Sequence, residues 1–493
     1  MIRLYSSATI GLILGYLSGY NLYFSSSIIR LSLFIFFVSL LFIKKGKHDI
    51  YLRYVLHVTI AFLLLFIYGN IVGHSISISR EHKSQMVNAR AVIKEIDIKD
   101  SSRILEVEFK DENLIFKSVA VYTFTNNDFQ ADQVVNISGT ITDSYVILPK
   151  DKETDFKSFD LARFWKTKGI DGVIMNAKIS TTSLDLSETK SAHSLNYFAH
   201  KFRNSFRSNL ERAMPTEEAG IIMAMLWGDE SSISKQTNQI YQKAGLSHIL
   251  VLSGYNLSIL IAASMLLFSK MSLRKKVFGS VIFILIFLLI AKTGVSVWRA
   301  AFMSFYVLAA TLFMRDTNIK FLVWLCAFMF CLLSPMTVMF DISFHLSMIA
   351  TIGIVFLQEP IKSLSMEKLP NYLKDIFSVT LSASLAVMPY LIYQFSYFNL
   401  FGLFVTIFIS LFVPLIMLFG FTAGVLGYVS TFFAQVLGYP AFLFASFFTV
   451  LANMSAKSGS LVSHPISFYT MCLLYLLVYL FYFILTFYVA YKK

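Results

Sequence analysis

The chain has 493 residues, of which 56% are hydrophobic and only 14% are charged. Its mean hydropathy of +0.66 excludes an ordinary soluble protein and places the chain among polytopic membrane proteins, with the lipid bilayer as its first partner. The formal net charge is +13, but most of this net charge lies in predicted cytoplasmic loops, where the preference of cations for the cytoplasmic side already explains it. The charge by itself therefore does not identify a polyanionic partner.

Roughly twelve apolar stretches are long enough to form membrane-spanning helices, because a span needs about 20 mostly apolar residues. These stretches cover residues 4–24, 28–43, 51–73, 246–268, 277–292, 295–314, 318–333, 337–357, 375–394, 398–419, 427–451 and 467–490. Pro414 and the glycines between Gly420 and Gly427 favour broken or re-entrant helices in the tenth and eleventh stretches. The first stretch lacks a small-residue cleavage site, so we expect it to be a retained helix.

Lysine and arginine residues recur in alternate loops between the apolar stretches. They are Lys44, Lys45, Lys47, Arg53, Lys270, Arg274, Lys275, Lys276, Arg315, Lys320, Lys362, Lys368, Lys374, Lys492 and Lys493. Because such cations stay in the cytoplasm, they predict twelve spans with both termini inside and the polar segment of about 74–245 outside. All three cysteines lie in apolar stretches, which predicts buried thiols and no disulfide.

The polar segment contains short alternating patterns from Val87 to Ile147, with apolar residues at every second position. They predict an antiparallel β domain of about five strands, and an OB-like barrel fits its size. Such barrels often bind single-stranded nucleic acid by stacking bases on aromatic side chains beside cations. The candidates are Phe109, Phe116, Tyr122, Phe124 and Phe129 for stacking, and Lys99, Arg103, Lys110 and Lys117 for phosphate. The competing interpretation places the aromatic residues in the barrel core.

An amphipathic helix follows in "HSLNYFAHKFRNSFRSNLERAM", where apolar residues are spaced three or four apart. Lys201, Arg203, Arg207 and Arg212 occupy its polar side. Such a basic helix usually lies on the membrane or packs on its own domain; alternatively, Arg203 and Arg207 guide a polyanion. Pro215 and the residues after it predict the start of another helix. The predicted divisions are three spans in 1–73, the β domain in 74–190, amphipathic helices in 191–245 and a transmembrane channel domain in 246–493.

Five ionisable residues fall at membrane depth: His248, Lys292, Arg299, Asp341 and His345. Each costs several kcal/mol unless it is paired or faces water, so each is a candidate functional residue. We expect His248 near the outer interface, Lys292 reaching toward the outer surface, and Arg299 facing water or paired with an acid. Asp341 and His345 are four residues apart and share a helix face, which suits an ion pair with Arg299 or a proton relay. No third ligand lies nearby, so we expect no metal and no cofactor.

The run "VLSGYNLS" interrupts the fourth apolar stretch with Ser253, Gly254 and Asn256. Gly254 has no Cβ and so permits a kink or a close approach by another backbone. A helix break exposes backbone groups that water or protein must satisfy, which predicts a cavity or channel wall; a tight crossing of helices through small residues is the alternative. The sequence holds no nucleophile elbow, no phosphate-binding glycine loop and no HExxH motif, so we do not expect an enzyme.

Four segments resemble the ComEC family of competence proteins. Residues 217–260 resemble the family's hallmark, in which a small-residue helix and Gly-Asp precede a Gly-Leu-x-His-Leu-Leu-Ala-Ile-Ser-Gly-Leu-His run. The matching residues are Gly228, Asp229, Gly245, Leu246, His248, Ser253 and Gly254. "TGVSVWRAAFMS" is similar to a second segment through Gly294, Arg299 and Ala300, and "SPMTVMFDISFHLSMIA" to a third through Pro335, Asp341, Phe344, Leu346 and Ser347. "FDLARFWKTKGIDGVI" resembles the end of the family's exterior OB-like domain.

The sequence also departs from the family pattern. Asn256 replaces the second histidine of the hallmark, and Ser343, Phe344 and His345 replace a Gly-Phe-Gln run. Many relatives continue into a metallo-β-lactamase-like domain proposed to degrade one DNA strand. Because this chain ends at Lys493, just after the last apolar stretch, we expect a short form without a nuclease.

The resemblance implies import of single-stranded DNA across the bacterial cytoplasmic membrane during natural transformation. A strand of phosphates needs a wet, positively biased path through about 30 Å of hydrocarbon, with Arg299 contacting phosphate and the break at Gly254 lining the path. The family implies a DNA receptor outside, a helicase or translocase inside, and a possible oligomer. One competing hypothesis is a proton-coupled transporter or exporter of a small molecule or lipid-linked sugar, with Asp341, His345 and Arg299 at its midplane site. Another is an assembly protein whose β domain binds a protein.

Overall fold

The computed structural model describes most of the chain from Ser84 onward. The described residues are 84–99, 102–109, 116–123, 129, 133–142, 146–147, 159–160, 165, 168, 170–175, 177–180, 195–292, 294–314, 318–364, 370–459 and 466–492. The three N-terminal stretches predicted to span the membrane, residues 4–24, 28–43 and 51–73, lie outside the described residues.

The β domain contains a closed five-stranded barrel. The strands are β1 (Ser84–Lys99), β2 (Ser102–Phe109), β3 (Ser118–Thr123), β4 (Val134–Thr142), β5 (Val146–Ile147), β6 (Phe159–Asp160), β7 (Gly172–Met175) and β8 (Lys178–Ser180). The barrel runs from β1 through β2, β3, β7 and β4 back to β1, antiparallel except between β3 and β7. β8 pairs with β4, and β5 pairs with β6. The predicted OB-like barrel is confirmed, although its fifth strand, β7, lies beyond the alternating pattern that ends at Ile147.

One long strand and two glycines close the barrel. β1 pairs with β4 along its first half and with β2 along its second, and a bulge in its second half bends it between the two partners. β4 and β7 approach closely at Gly139 and Gly172. A Cβ atom on Gly139 would lie 2.7 Å from Ile174, and one on Gly172 would lie 2.5 Å from Ile141. Side chains at these two positions would therefore push the closing strands apart.

The rest of the described chain is helical. The helices are α1 (Leu195–Ala213), α2 (Thr216–Trp227), α3 (Lys235–Lys243), α4 (Ser247–Leu250), α5 (Gly254–Leu267), α6 (Leu273–Ile290), α7 (Val295–Leu312), α8 (Ile319–Leu333), α9 (Pro335–Phe340), α10 (Ile342–Lys362), α11 (Asn371–Phe395), α12 (Leu400–Leu426), α13 (Thr431–Lys457) and α14 (Phe468–Lys492). Within the described residues, seven segments are long and apolar enough to cross a membrane. They are Ser247–Leu267 and helices α7, α10, α11, α12, α13 and most of α14.

Two further apolar helices correspond to predicted spans. α8 is shorter than a typical span, and α6 carries three cations in its first turn. Each of the nine stretches predicted after residue 245 thus contains a helix, and the chain is a polytopic α-helical membrane protein. The predicted total of about twelve spans is not confirmed, because the structure does not describe the first three.

The helices α12 and α13 each run for 27 residues without a break. The expectation of broken or re-entrant helices around Pro414 is therefore wrong. A proline cannot donate to the carbonyl four residues before it, so Pro414 leaves the Ser410 carbonyl without its helical partner. The Tyr255 hydroxyl donates to this carbonyl at 3.1 Å. A side chain from α5 thus satisfies the group that the proline frees, and α12 continues.

α2 forms the apolar centre of the membrane domain. The helix begins at Thr216, directly after Pro215 as predicted, and each of its residues from 219 to 227 is buried. α1 packs beside α2 with Phe206 and Leu210 fully buried, and the Phe206 ring occupies the space beside Gly424 of α12. Of the interpretations of the basic amphipathic helix, packing on its own domain is the one that the structure supports.

Candidate functional site

The ends of α2 and α6 and the starts of α5 and α7 meet at one place, which we call the helix junction. α2 ends at Gly228, whose φ of 70° lies in the left-handed region. A Cβ atom on Gly228 would lie 2.7 Å from the Lys292 carbonyl oxygen, and the Lys292 amide donates to the Trp227 carbonyl at 2.8 Å. Gly228 therefore allows the end of α2 to pack on the connection between α6 and α7. The junction comprises residues 225–229, 253–256, 291–292 and 294–300.

The predicted break in the fourth stretch is present, between α4 and α5. Ser253 caps α5, because its Oγ accepts from the Asn256 amide at 3.3 Å. The Asn256 side chain is 3% exposed and donates to the Met225 carbonyl at 3.1 Å, which ties α5 to the end of α2. Protein groups thus satisfy the polar side chains at the break, and these contacts match the tight helix crossing more closely than a water-filled wall. His248 lies on α4 and is exposed.

Arg299 lies in the second turn of α7 and is only 7% exposed. Its guanidinium passes 3.8 Å from the position that a Cβ atom would occupy on Gly254, so the glycine makes room for it. Nη1 donates to the Thr351 hydroxyl at 2.5 Å, and Nη2 donates to the Ser347 hydroxyl. Nε is buried and has no hydrogen-bond partner within the described part of the chain. Among the residues that the structure describes, no carboxylate pairs with Arg299, so its charge is held by neutral oxygens.

Asp341 and His345 do not join Arg299. The Asp341 carboxylate caps α10 by accepting from the Phe344 amide at 3.1 Å. His345 bonds the Val338 carbonyl through Nε2 and the Tyr390 hydroxyl through Nδ1, both at 2.7 Å. Because a carbonyl oxygen only accepts, Nε2 donates to Val338, and Nδ1 shares the other hydrogen bond with the Tyr390 hydroxyl.

The expected ion pair between these residues and Arg299 is therefore not formed. The Asp341 side chain caps α10 instead, and the His345 side chain bonds the Tyr390 hydroxyl and the Val338 carbonyl. Across the described ranges, no group of three His, Cys, Asp or Glu side chains is placed to hold a metal ion.

Asp229 is buried to 1% exposure at the junction and pairs with two cations. Arg207 forms an ion pair with Oδ2, and the Lys292 Nζ lies 3.5 Å from Oδ1. The Ser231 amide also donates to Oδ1 at 3.3 Å. Burial alone would raise the pKa of Asp229, but Lys292 and Arg207 outweigh it and lower the pKa to about 2. Lys292 therefore does not extend to the surface as expected.

Two arginines predicted to guide a polyanion are internal. Arg203 is 5% exposed and donates to the Ile290 carbonyl at 2.5 Å. Arg207 is engaged by Asp229. The amphipathic pattern placed both on the polar face of α1, and the structure turns that face toward α6 and the α2–α3 connection. Neither side chain is part of an open basic surface.

The barrel aromatic residues are also internal. Phe116 is 4% exposed, and Phe109 and Phe129 are buried in the same core, so they cannot stack on a base. The Tyr122 hydroxyl accepts from the Trp165 indole at 3.0 Å. Lys117 is exposed. Two other candidates, the cation Lys110 and the aromatic residue Phe124, lie outside the described residues.

Sequence reasoning missed two residues that the geometry makes important. Thr351 follows Ser347 by four residues, so a helical pattern could have placed both hydroxyls on the face of α10 that meets Arg299. Tyr255 gave no comparable signal, because its partner lies 155 residues away.

The helix junction falls within a known family. Residues 225–490, more than half of the chain, match the family described as "Competence protein". The chain belongs to the competence protein family. The prediction of a ComEC-type protein is thereby confirmed, and the matched range includes Asp229, Gly254 and Arg299 but not the barrel.

A curated relative is similar over part of the chain. It is ComE operon protein 3 from Bacillus subtilis (strain 168), which is 26% identical over 224 residues. The aligned segment covers 45% of this chain and 28% of the relative. No solved structure matches the chain.

Proposed function

We propose that this competence family protein conducts single-stranded DNA across the bacterial cytoplasmic membrane during natural transformation. In this proposal the barrel lies outside and both termini lie in the cytoplasm. A DNA receptor delivers the strand from outside, and a cytoplasmic helicase or translocase pulls it. The chain itself acts as a conduit and not as an enzyme. The family match and the relative named for the ComE operon support a role in DNA uptake.

The observation that carries the proposal is the buried Arg299, which has no carboxylate partner in the described ranges of the chain. A charged side chain at membrane depth is costly, and acids normally offset the cost. Ser347 and Thr351 instead hold the guanidinium by hydrogen bonds and leave its full charge in place. A phosphate carries the charge and the acceptor oxygens that such a guanidinium lacks. Arg299 is therefore suited to meet a passing phosphodiester.

The arrangement favours a polyanion over proton-coupled transport. A proton-coupled midplane site requires an acid or a base that changes charge beside the substrate. Asp341 is committed to capping α10, and His345 is fixed between Val338 and Tyr390. Arg299, which keeps its proton at all physiological pH values, stands apart from both.

Substitution of Arg299 in the host tests the proposal. We expect Arg299→Ala to lower transformation frequency and uptake of labelled DNA by at least about tenfold, because a charge-assisted contact is lost. We expect DNA uptake by Arg299→Lys to lie between that of the wild type and that of Arg299→Ala. An ammonium keeps the charge but loses the planar geometry with which the guanidinium binds two hydroxyls. Lys270→Ala removes an equal charge from an exposed loop and serves as the control. Normal uptake by an Arg299→Ala protein present at wild-type membrane levels would overturn the proposal.

A further inference from the structure

A surface cavity lies where two membrane-spanning segments end, and we call it the span-end cavity. Its volume is about 410 Å³, and its lining consists of Ser272, Leu273, Arg274, Leu312, Phe313 and Met314. The segment Ser247–Leu267 ends shortly before Ser272 in the chain, and the segment Val295–Leu312 ends at a lining residue. All the lining residues are exposed, so the cavity is open. It therefore lies at the depth where a span gives way to lipid headgroups.

The polar part of the lining is basic. Arg274 is one of four cations in residues 270–276, a stretch without an acidic residue. Arg274, Lys275 and Lys276 occupy the first turn of α6. Across the described ranges, none of these three forms an ion pair with a carboxylate. Their positive charge is therefore available to an anion, and the Ser272 hydroxyl in the same lining adds a neutral donor.

The rest of the lining is apolar. Phe313 and Met314, at the end of α7, are 70% and 86% exposed, and Leu273 and Leu312 complete the apolar surface. Lipid covers such side chains in a membrane protein, because the removal of apolar surface from water is favourable. A ligand that fits the whole cavity therefore has an anionic head and an apolar body.

The placement of cations in loops does not account for this combination. The preference of lysine and arginine for the cytoplasmic side explains why cations lie between α5 and α6. It does not explain why Arg274 shares a cavity with exposed apolar side chains from the end of α7. Three of the four apolar lining residues are aliphatic, which favours acyl chains over nucleic-acid bases, since bases stack on aromatic rings.

We propose that the span-end cavity binds an anionic phospholipid, whose phosphate binds Arg274 and whose acyl chains pack on Leu312 and Phe313. Basic pockets between membrane helices recognise anionic lipid headgroups by the same combination of charge and apolar contact. The lipid site does not depend on conduction of DNA. The inference therefore goes beyond the proposed function and is tested separately from it.

Lipid binding by the purified full-length protein in a neutral detergent tests the inference. The delipidated protein is titrated with phosphatidylglycerol or with phosphatidylcholine, and native mass spectrometry counts the bound lipid. We expect phosphatidylglycerol to bind more tightly, and Arg274→Gln to weaken its binding about fivefold, the effect of one cation at an anionic membrane surface. Lys270→Gln removes an exposed cation that lies in the same loop but does not line the cavity, so it should leave the affinity unchanged.

A second pair of variants tests the apolar part of the cavity. Phe313 lines the cavity, whereas Phe432, at the start of α13, has a similar exposure of 66% and does not line it. We expect Phe313→Ala to weaken phosphatidylglycerol binding by about threefold, because apolar contact with the acyl chains is lost. Phe432→Ala should bind the lipid as the wild type does.

General attraction between a basic protein and an anionic lipid predicts a different result. Equal losses of affinity in Arg274→Gln and Lys270→Gln, or equal binding of the two lipids by the wild type, would overturn the inference. If Arg274→Gln does not fold, the wild type alone decides: phosphatidylglycerol should raise its melting temperature more than phosphatidylcholine does.

Two soluble anions separate the lipid from other phosphate ligands. Inorganic phosphate should not raise the melting temperature of the wild type, because it lacks acyl chains. A rise as large as that with phosphatidylglycerol would assign the cavity to free phosphate and overturn the inference. Weaker binding of an oligothymidylate by Arg274→Gln, with unchanged phosphatidylglycerol binding, would assign the cavity to nucleic acid and overturn it as well.

Discussion

Two arginines one helical turn apart show how differently the same residue type can be used. Arg207 pairs with the carboxylate of Asp229, whereas Arg203 donates to the backbone carbonyl of Ile290. Arg299 is held in a third way, by two hydroxyl groups. Neutral oxygens accept the hydrogen bonds of a guanidinium and leave its charge in place. A carboxylate accepts the hydrogen bonds and also neutralises the charge. The partner and not the arginine decides whether a cation stays available to a phosphate.

His200, which is surrounded by the charges of Arg203, Lys292, Arg207 and Asp229, gives the protein a pH dependence that can be measured. Its pKa of about 4 in the folded protein lies below the ordinary value of 6.5. A depressed histidine pKa means that its stabilising contribution is present above pH 6.5 and is lost as the pH falls toward 4. Asp229 stays ionised through this window, since its pKa is about 2.

We therefore expect the wild type to lose more stability than a His200→Gln variant between pH 7.5 and pH 5. The difference should be roughly 1 kcal/mol, after allowance for the partial exposure of the ring. Melting temperatures of both proteins in the same detergent measure it, because the two proteins differ only at residue 200. Parallel pH curves would show that His200 is not held neutral by its surroundings.

At the scale of elements, α5 and α12 depend on each other. Pro414 removes one helical hydrogen bond from α12, and Tyr255 of α5 compensates for it at the Ser410 carbonyl. Inside a lipid bilayer no water is available to donate to the Ser410 carbonyl. A carbonyl without a hydrogen bond there costs more free energy than it would at an aqueous surface. The tyrosine in the Ser-Gly-Tyr-Asn run therefore stabilises a neighbouring helix.

Replacement of Tyr255 by phenylalanine should lower the melting temperature by an amount equivalent to about 1–2 kcal/mol. Pro414→Ala restores the amide that bonds Ser410, so Tyr255→Phe should cost far less in that background. Tyr439→Phe, at an exposed position on α13, is the matched control. If Tyr255→Phe lowers the melting temperature equally with and without Pro414, the Tyr255 hydroxyl does not compensate for the proline.

The sequence predicted those features that depend on local pattern. Apolar length located the helices, and period two located four barrel strands, because burial repeats along each element. At the junction, residue chemistry alone singled out Gly254 and Arg299, whereas Gly228 and Asp229 were singled out only through the family resemblance. Its contacts were not predictable, since the Asn256 bond to Met225 joins residues 31 positions apart. The amphipathic pattern of α1 also misled, because a polar face buried against a charged partner has the same periodicity as one in water.

At the scale of the whole molecule, α6 connects the basic loop to the helix junction. Its first turn carries Arg274, Lys275 and Lys276, and its last residue, Ile290, accepts from Arg203. Eighteen residues of helix span about 27 Å, which is close to the hydrocarbon thickness of a bilayer. If the basic turn is cytoplasmic, the helix junction with Asp229 lies near the outer face.

Labelling of single cysteines tests this orientation. Cys326 and Cys331 are buried, so a Cys472→Ser background should be silent toward an impermeant maleimide. We expect Glu230→Cys, at the exposed position next to Asp229, to be labelled on intact cells.

The position at the other end of α6 provides the contrast. Lys275→Cys is exposed in the basic turn, and it should be labelled only after the membrane is permeabilised. Met86→Cys, on an 88% exposed position of β1, reports the barrel independently and should behave as Glu230→Cys does. If Lys275→Cys is labelled on intact cells and Glu230→Cys is protected, the protein has the opposite orientation in the membrane. The helix junction, with Asp229 and Arg299, would then lie nearer the cytoplasmic face.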